Sequence, residues 1–123
     1  MEPEPRQIAE EFNQCINGQN LEGLARLMHE DHLFIDREGT RNGPKPVMVK
    51  GWKEFFSMFP DYRNTFRKIV TEGNRVYILG FAYWDAENPY DPVIWSALIR
   101  DNLIAEWVVH SDTPENRSRY HLA

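Results

Sequence analysis

Acid–base chemistry in this chain of 123 residues has two places to sit. The first is Asp36, which closes the apolar run Leu33-Phe34-Ile35. Strand alternation puts Phe34 and Asp36 on one face and Leu33 and Ile35 on the other. On a cavity wall its carboxylate would lose water, and a desolvated carboxylate is a better base near neutral pH. The alternative is a strand-end aspartate that caps the turn at Glu38-Gly39. The second place is the last apolar run, IAEWVVHSD, with His110 and Asp112. In regular alternation Glu106, Val108, His110 and Asp112 share a face, whereas a bulge would turn Trp107 and Val109 inward instead. Histidine titrates near physiological pH, so His110 is suited to shuttling protons or orienting a carboxylate. The alternative is a surface His-Ser-Asp cluster at the end of a strand.

Other chemistry is thinner. His29 and His32 flank Glu30-Asp31 but lack a converging third ligand, so no metal site is expected. No Gly-rich phosphate loop is present, and no cofactor is expected. Arg63 pairs with Asp61 at the surface or reaches toward a cavity. Cys15 reads as a small core residue.

The elements that must position these groups follow from spacing. Ile8, Phe12 and Ile16 fall on one face of a helix over Arg6–Asn17, with Pro5 opening it and Gly18 closing it. Asn20 caps a second helix, Leu21–His29. A short strand Leu33–Asp36 and a polar turn, Arg37–Gly43, lead to a third helix over Lys45–Phe59. Its stripe is Met48, Trp52, Phe55, Phe56 and Phe59, and Gly51 inside it predicts close approach of another element. Phe59-Pro60-Asp61 stops the helix. Tyr62–Thr71 and Arg75–Asp85 then form a hairpin around Glu72-Gly73-Asn74. The polar loop Ala86–Pro92 is long enough to border a cavity mouth. Val93–Arg100 and Leu103–Ser111 pair across Asp101-Asn102, a dipeptide that accepts left-handed turn geometry. Thr113–Ala123 reads as a flexible or partner-packed tail.

The strand Arg75–Asp85 is apolar on both faces. Tyr77, Leu79, Phe81 and Tyr83 make one, and Val76, Ile78, Gly80, Ala82 and Trp84 the other. Both must be covered. Helices around a pocket are expected on one side. No helix remains for Val76, Ile78, Ala82 and Trp84, so a homodimer is expected through that open sheet face. Phe12, Trp52, Phe56, Phe81, Tyr83, Trp95 and Trp107 are the candidate ligand-binding residues, with plain core packing as the alternative for each.

The stretch FPDYRNTFRKIVTEGNRV carries a resemblance. An aromatic-Pro-Asp leaving a helix, a strand, then Glu-Gly-Asn-Arg-Val is similar to the SnoaL-like polyketide cyclases, within the superfamily of nuclear transport factor 2 (NTF2) and ketosteroid isomerase. The element order extends the likeness over nearly the whole chain. It implies an α+β, NTF2-like cone, a strongly bent antiparallel sheet wrapped on three N-terminal helices, as a single domain over residues 1–123. It also implies a small-molecule enzyme of cyclase, isomerase or dehydratase type, or a non-catalytic ligand-binding or association module of the same fold. In the isomerases a short strand after the second helix carries the aspartate that moves a proton beside a carbonyl, and LMHEDHLFID keeps Asp36 in that register. Their oxyanion partners are missing: the tyrosine slot falls on Phe12, and the second aspartate's slot on Trp95 or Ser96. Steroid isomerisation is therefore not expected. SnoaL-like cyclases end on a strand resembling Ile-x-Glu, with a tryptophan nearby and an acid/base aspartate beyond. Ile104, Glu106 and Asp112 keep that spacing, and Trp107 stands one place early. Epoxide hydrolases of the superfamily use an Asp-Arg-Asp set, of which only Asp36 and Arg63 have counterparts.

Composition narrows the partners. Seven Phe, four Trp and five Tyr suit a small apolar or aromatic ligand. A net charge of −5 with scattered Lys and Arg argues against nucleic acid. No run approaches the ~20 apolar residues of a membrane helix. The acidic start MEPEPRQ lacks the apolar core of a signal peptide, and a single Cys cannot form an internal disulfide, so the cytoplasm is expected.

Overall fold

The computed structural model describes residues 3–123. Helix α1 spans Pro5–Asn17, opened by a reciprocal cap between Glu4 and Gln7. Its stripe of Ile8, Phe12 and Ile16 is buried to 2% exposure or less. Helix α2, Leu21–Leu27, starts where the Asn20 side chain accepts from the Gly23 amide at 2.9 Å. Helix α3, Lys45–Met58, buries Met48, Trp52 and Phe56 and stops at Phe59, before Pro60.

One sheet wraps these helices. Its strands are β1 (Met28–Ile35), β2 (Arg41–Asn42), β3 (Arg63–Glu72), β4 (Arg75–Tyr83), β5 (Asp91–Arg100) and β6 (Leu103–Ser111). Their order is β2-β1-β6-β5-β4-β3. Every pairing is antiparallel except β1 with β6. The fold is an NTF2-like α+β cone, an unclosed curled sheet over its helices. Both tight turns use left-handed backbone: Gly73 at φ 60°, and Asp101 and Asn102 at φ 55° and 62°, as their residue types allow. Gly80 serves another purpose. It faces the point where the β3 register shifts between Phe66 and Lys68, and a Cβ there would fall on the Thr65 carbonyl oxygen.

Three sequence expectations change. First, Val76, Ile78 and Ala82 are exposed by 1% or less, because they face the helices. The half-buried row Tyr77, Leu79, Phe81 and Tyr83 looks outward instead. The sheet face assigned to a partner is thus the interior one, and any open face is the opposite. Second, the first strand starts at Met28, five residues earlier than Leu33, at the expense of the second helix. Third, the tail is docked. Thr113 caps a short helix α4, Pro114–Arg119. Beyond it Tyr120 stacks on Tyr77 at 4.9 Å and packs against His110 at 4.8 Å, and Leu122 is 2% exposed.

Candidate functional site

Between α3 and the sheet lies a half-open cavity of about 530 Å³. Helix α3 gives one wall with Val47, Met48, Gly51, Trp52 and Phe55. The sheet gives the others: Phe34, Asn42, Asn64, Ala82, Val93, Trp95, Trp107 and Val109, with Tyr62 and Trp84 beside them. All four tryptophans of the chain line it. Gly51 meets no close neighbour: a Cβ there would find only Met48 at 3.9 Å. Its missing side chain is cavity space, not the close approach that the sequence predicts. Asp36, Arg37, Glu38 and Asp91 are the charged lining residues.

Asp36 therefore stands on the cavity wall, but it is also the turn's cap. Its Oδ1 accepts from the amides of Glu38 at 3.0 Å and Thr40 at 2.9 Å. Both readings of this residue meet in one side chain, and its Oδ2 takes no part in the turn. Asp91 is the other organised carboxylate. Its Oδ2 accepts from the Trp84 indole at 3.0 Å and from Arg37 Nη2 at 3.2 Å. That ties the long loop to the turn after β1.

Trp52, Trp95 and Trp107 line the cavity directly. Phe12 and Phe56 back it from the core: Phe12 packs on Trp107 at 4.8 Å, and Phe56 on Trp52 at 5.6 Å. Phe81 and Tyr83 do not line it. Phe81 packs on Tyr90 at 4.9 Å, and Tyr83 lies beneath the Arg63 guanidinium at 4.1 Å. This also removes Arg63 from any set with Asp36. On β6 the inward residues are Trp107 and Val109, so alternation carries His110 to the far face of the sheet. There its Nε2 meets Ser96 Oγ at 2.8 Å, and burial holds the imidazole below its usual range. Asp112 lies beyond it in a two-pronged pair with Arg117, at 2.6 and 2.8 Å, which holds its carboxyl below the usual carboxylate range. His110 and Asp112 are near each other in sequence but separated from Asp36 by the sheet.

Sequence reasoning missed Tyr62, Asn64, Trp84, Arg37 and Asp91. The signal for the first two was the alternation Tyr62-x-Asn64-x-Phe66, which sets a polar side chain among inward aromatics. The end of α1 fixes Asn64: Asn17 accepts from its amide at 2.8 Å and donates to its carbonyl at 2.9 Å. Burial pushes the Tyr62 phenol far above its usual range, so it stays protonated. Among the described residues the buried side-chain atoms without a hydrogen-bond partner are Asn13 Oδ1, His32 Nε2, Trp52 Nε1 and Asn64 Oδ1. Trp52 and Asn64 belong to cavity-lining residues. His32 is instead fully buried on its own, with Nδ1 2.8 Å from the Ile104 carbonyl, and His29 sits 3.3 Å from Asp101. The two histidines share no site, and no group of three metal-ligating side chains occurs among the described residues.

An NTF2-like cone with an aromatic-lined cavity defines the class. The sequence matches the SnoaL-like domain family over residues 9–121, and the chain belongs to that family. A protein from Shewanella putrefaciens assigned as a SnoaL-like polyketide cyclase is similar in fold, with TM-score 0.78 and 14% identity over 97% of this chain and 86% of that one. IdmH from Streptomyces antibioticus, assigned as a polyketide cyclase, matches with TM-score 0.72 and 20% identity over 89% and 93%. TerC, co-crystallised with polyporic acid, matches with TM-score 0.75 and 14% identity over 95% and 98%. No curated protein matches this chain. At these identities the likeness is one of fold. No helix is long and apolar enough to cross a membrane among the described residues.

Proposed function

We propose that this chain is a small-molecule enzyme of the cyclase, isomerase or dehydratase kind, acting on an apolar or aromatic substrate held in the cone, with Asp36 as the group that moves a proton. The observation that carries this reading is the placement of Asp36 on the wall of a cavity otherwise dominated by aromatic rings. A carboxylate beside a bound carbonyl compound can take a proton from the adjacent carbon without help from a cofactor. We assign Tyr62, a lining residue whose phenol burial keeps neutral, as the donor toward a developing oxyanion.

A second reading has its own observation. Oδ1 of Asp36 is committed to two turn amides, which is what a purely structural cap would show. On that reading the cone is a ligand-binding module. The homodimer belongs with either reading and moves to the outward face, where Phe81 packs on Tyr90, itself 60% exposed. A monomeric mass in sedimentation at micromolar concentration would exclude it.

The test begins with ligand discovery. Because every tryptophan lines the cavity, quenching of intrinsic fluorescence reports on it without background. Polyporic acid, the compound crystallised with TerC, belongs among the first to titrate. Turnover is then compared in Asp36→Asn. Asparagine keeps an Oδ1 for the turn, so melting should hold within about 1 kcal/mol. Turnover should fall by roughly 10²–10⁴-fold. Full turnover in the variant excludes the acid–base role, and saturable binding with no turnover by the native protein favours the binding module.

A further inference from the structure

The outward face of the sheet carries a cleft of its own. It is lined by Arg67 of β3, Leu79 and Gly80 of β4, Tyr90 of the long loop, and Asp112 and Arg117 of the tail, and its volume is about 280 Å³. None of these residues lines the cavity of the cone. Three side chains that the cone does not use meet there. The first is Arg67. The register of β3 on β4 pairs Phe66 with Gly80 and Lys68 with Leu79, so Arg67 is the extra residue of a bulge. A bulge re-aims a side chain, and this one puts Arg67 at the cleft. Among the described residues Arg67 has no ion-pair partner. The second is Arg117. Asp112 accepts from its Nε and Nη2 at 2.6 and 2.8 Å, which fixes the guanidinium and leaves Nη1 outside the pair. The third is Tyr90, 60% exposed, with its ring packed on Phe81 at 4.9 Å.

Charge separates the two spaces. The cleft sets two guanidinium groups against one carboxylate, whereas in the cone Asp36, Glu38 and Asp91 face Arg37 alone. A guanidinium fork matches the paired oxygens of a carboxylate or phosphate. A volume below the roughly 300–1,000 Å³ of drug-sized sites limits the rest of the ligand to about one ring, and Leu79 and Tyr90 offer that ring apolar contact.

We infer that this cleft is a second ligand site, separate from the cone, for a small organic oxyanion. A carboxylate or phosphate group sits between Arg67 and Arg117, and an apolar body about one ring in size rests against Leu79 and Tyr90. The inference does not depend on what the cone binds.

The test uses the native protein in its solution state, ¹⁵N-labelled with assigned amides, at pH 7. The probes are phenyl phosphate, phenylacetate, inorganic phosphate and neutral 2-phenylethanol. The tryptophans discriminate between sites, because all four line the cone and none lines the cleft. Phenyl phosphate, phenylacetate or both should shift the amides of Leu79, Gly80 and Tyr90 saturably and leave the indole cross-peaks in place, and the tighter of the two names the oxyanion. At those amides 2-phenylethanol should bind at least about tenfold more weakly, the scale of a lost charge-assisted bond. Inorganic phosphate should bind roughly three- to tenfold more weakly than phenyl phosphate, the share of one ring on Tyr90. Arg67→Gln should weaken the organic anions about tenfold. Tyr90→Ala should bring phenyl phosphate down to the affinity of inorganic phosphate. The comparisons among probes on the native protein stand even if a variant fails to fold. Shifts confined to the indoles, no saturable shift at the cleft amides, equal binding of 2-phenylethanol, equal binding of inorganic phosphate, or full affinity in folded Arg67→Gln each overturn the inference.

Discussion

Filling the cavity is the sharpest perturbation, because its outcome does not depend on knowing the ligand. Ala82 lies on the inward face of β4, is 1% exposed and lines the cavity. Ala82→Leu would extend three more carbons into the space between α3 and the sheet. At about 0.8 kcal/mol per buried carbon the gain is about 2.4 kcal/mol. Rotamer entropy removes about 0.5–1 kcal/mol, leaving a net stabilisation of roughly 1.5 kcal/mol. For a domain of this size each kcal/mol moves the melting point by about 3–6 °C, so calorimetry should show a rise of roughly 5–9 °C. The same variant should lose affinity for any probe that binds the native cavity. A lower melting point would mean that side chains already occupy the volume in front of Ala82. An insertion into a packed core costs about 1–3 kcal/mol, so the two cases differ in sign and not only in size. That result would refute empty space in front of Ala82.

Other expectations follow from single residues. Gly51→Ala, with only Met48 within reach at 3.9 Å, should stabilise α3 by up to about 1 kcal/mol through helix propensity, whereas Gly80→Ala, driven into the Thr65 carbonyl, should cost about 1–3 kcal/mol or more; urea midpoints that shift in the same direction would refute the assignment of the two glycines. Burial holds His32 and His110 below the usual imidazole range. The unfolded chain therefore takes up protons first, and stability present above pH ~6.5 should fall as pH drops through the folded values. A urea midpoint that rises between pH 7 and pH 5.5 would contradict this. Leu122→Ala removes a side chain 2% exposed. It should release the tail to trypsin at Arg117 and Arg119 while costing less than the ~2–5 kcal/mol of a central core leucine, because a terminal segment can undock without unfolding the cone; unchanged cleavage would contradict the docking.

Much of the cone is legible before any coordinates. The helical stripe of α1, the stop at Phe59-Pro60-Asp61 and the left-handed turn at Asp101-Asn102 are local, and local chemistry decides them. What stays hidden is non-local. The alternation of β4 sorts its residues correctly into two rows, Val76, Ile78 and Ala82 against Tyr77, Leu79, Phe81 and Tyr83, but a period of two carries no arrow. Which row meets the helices depends on how the whole sheet curls, and both rows are apolar enough for either role. The start of β1 is hidden for a related reason. His29, Glu30 and Asp31 look like a polar turn, and only parallel pairing with β6, more than seventy positions away in sequence, makes Met28–Ile35 a strand. In the tail, two side chains, Tyr120 and Leu122, outweigh a polar composition, because they find Tyr77, His110 and a sheet face that the sequence reserves for the interior. The direction of β6 then settles which chemistry shares a chamber. With Trp107 and Val109 inward, His110 and Asp112 cannot meet a ligand that Asp36 meets. Any proton transfer inside the cone falls to the cavity's own titratable residues, Asp36, Arg37, Glu38, Tyr62 and Asp91. Of these Asp36, Glu38 and Tyr62 stand outside the Arg37–Asp91 pair. On the proposed reading enolisation needs at least a base and a neutral hydroxyl, and Asp36 and Tyr62 are both among the residues that line this cavity.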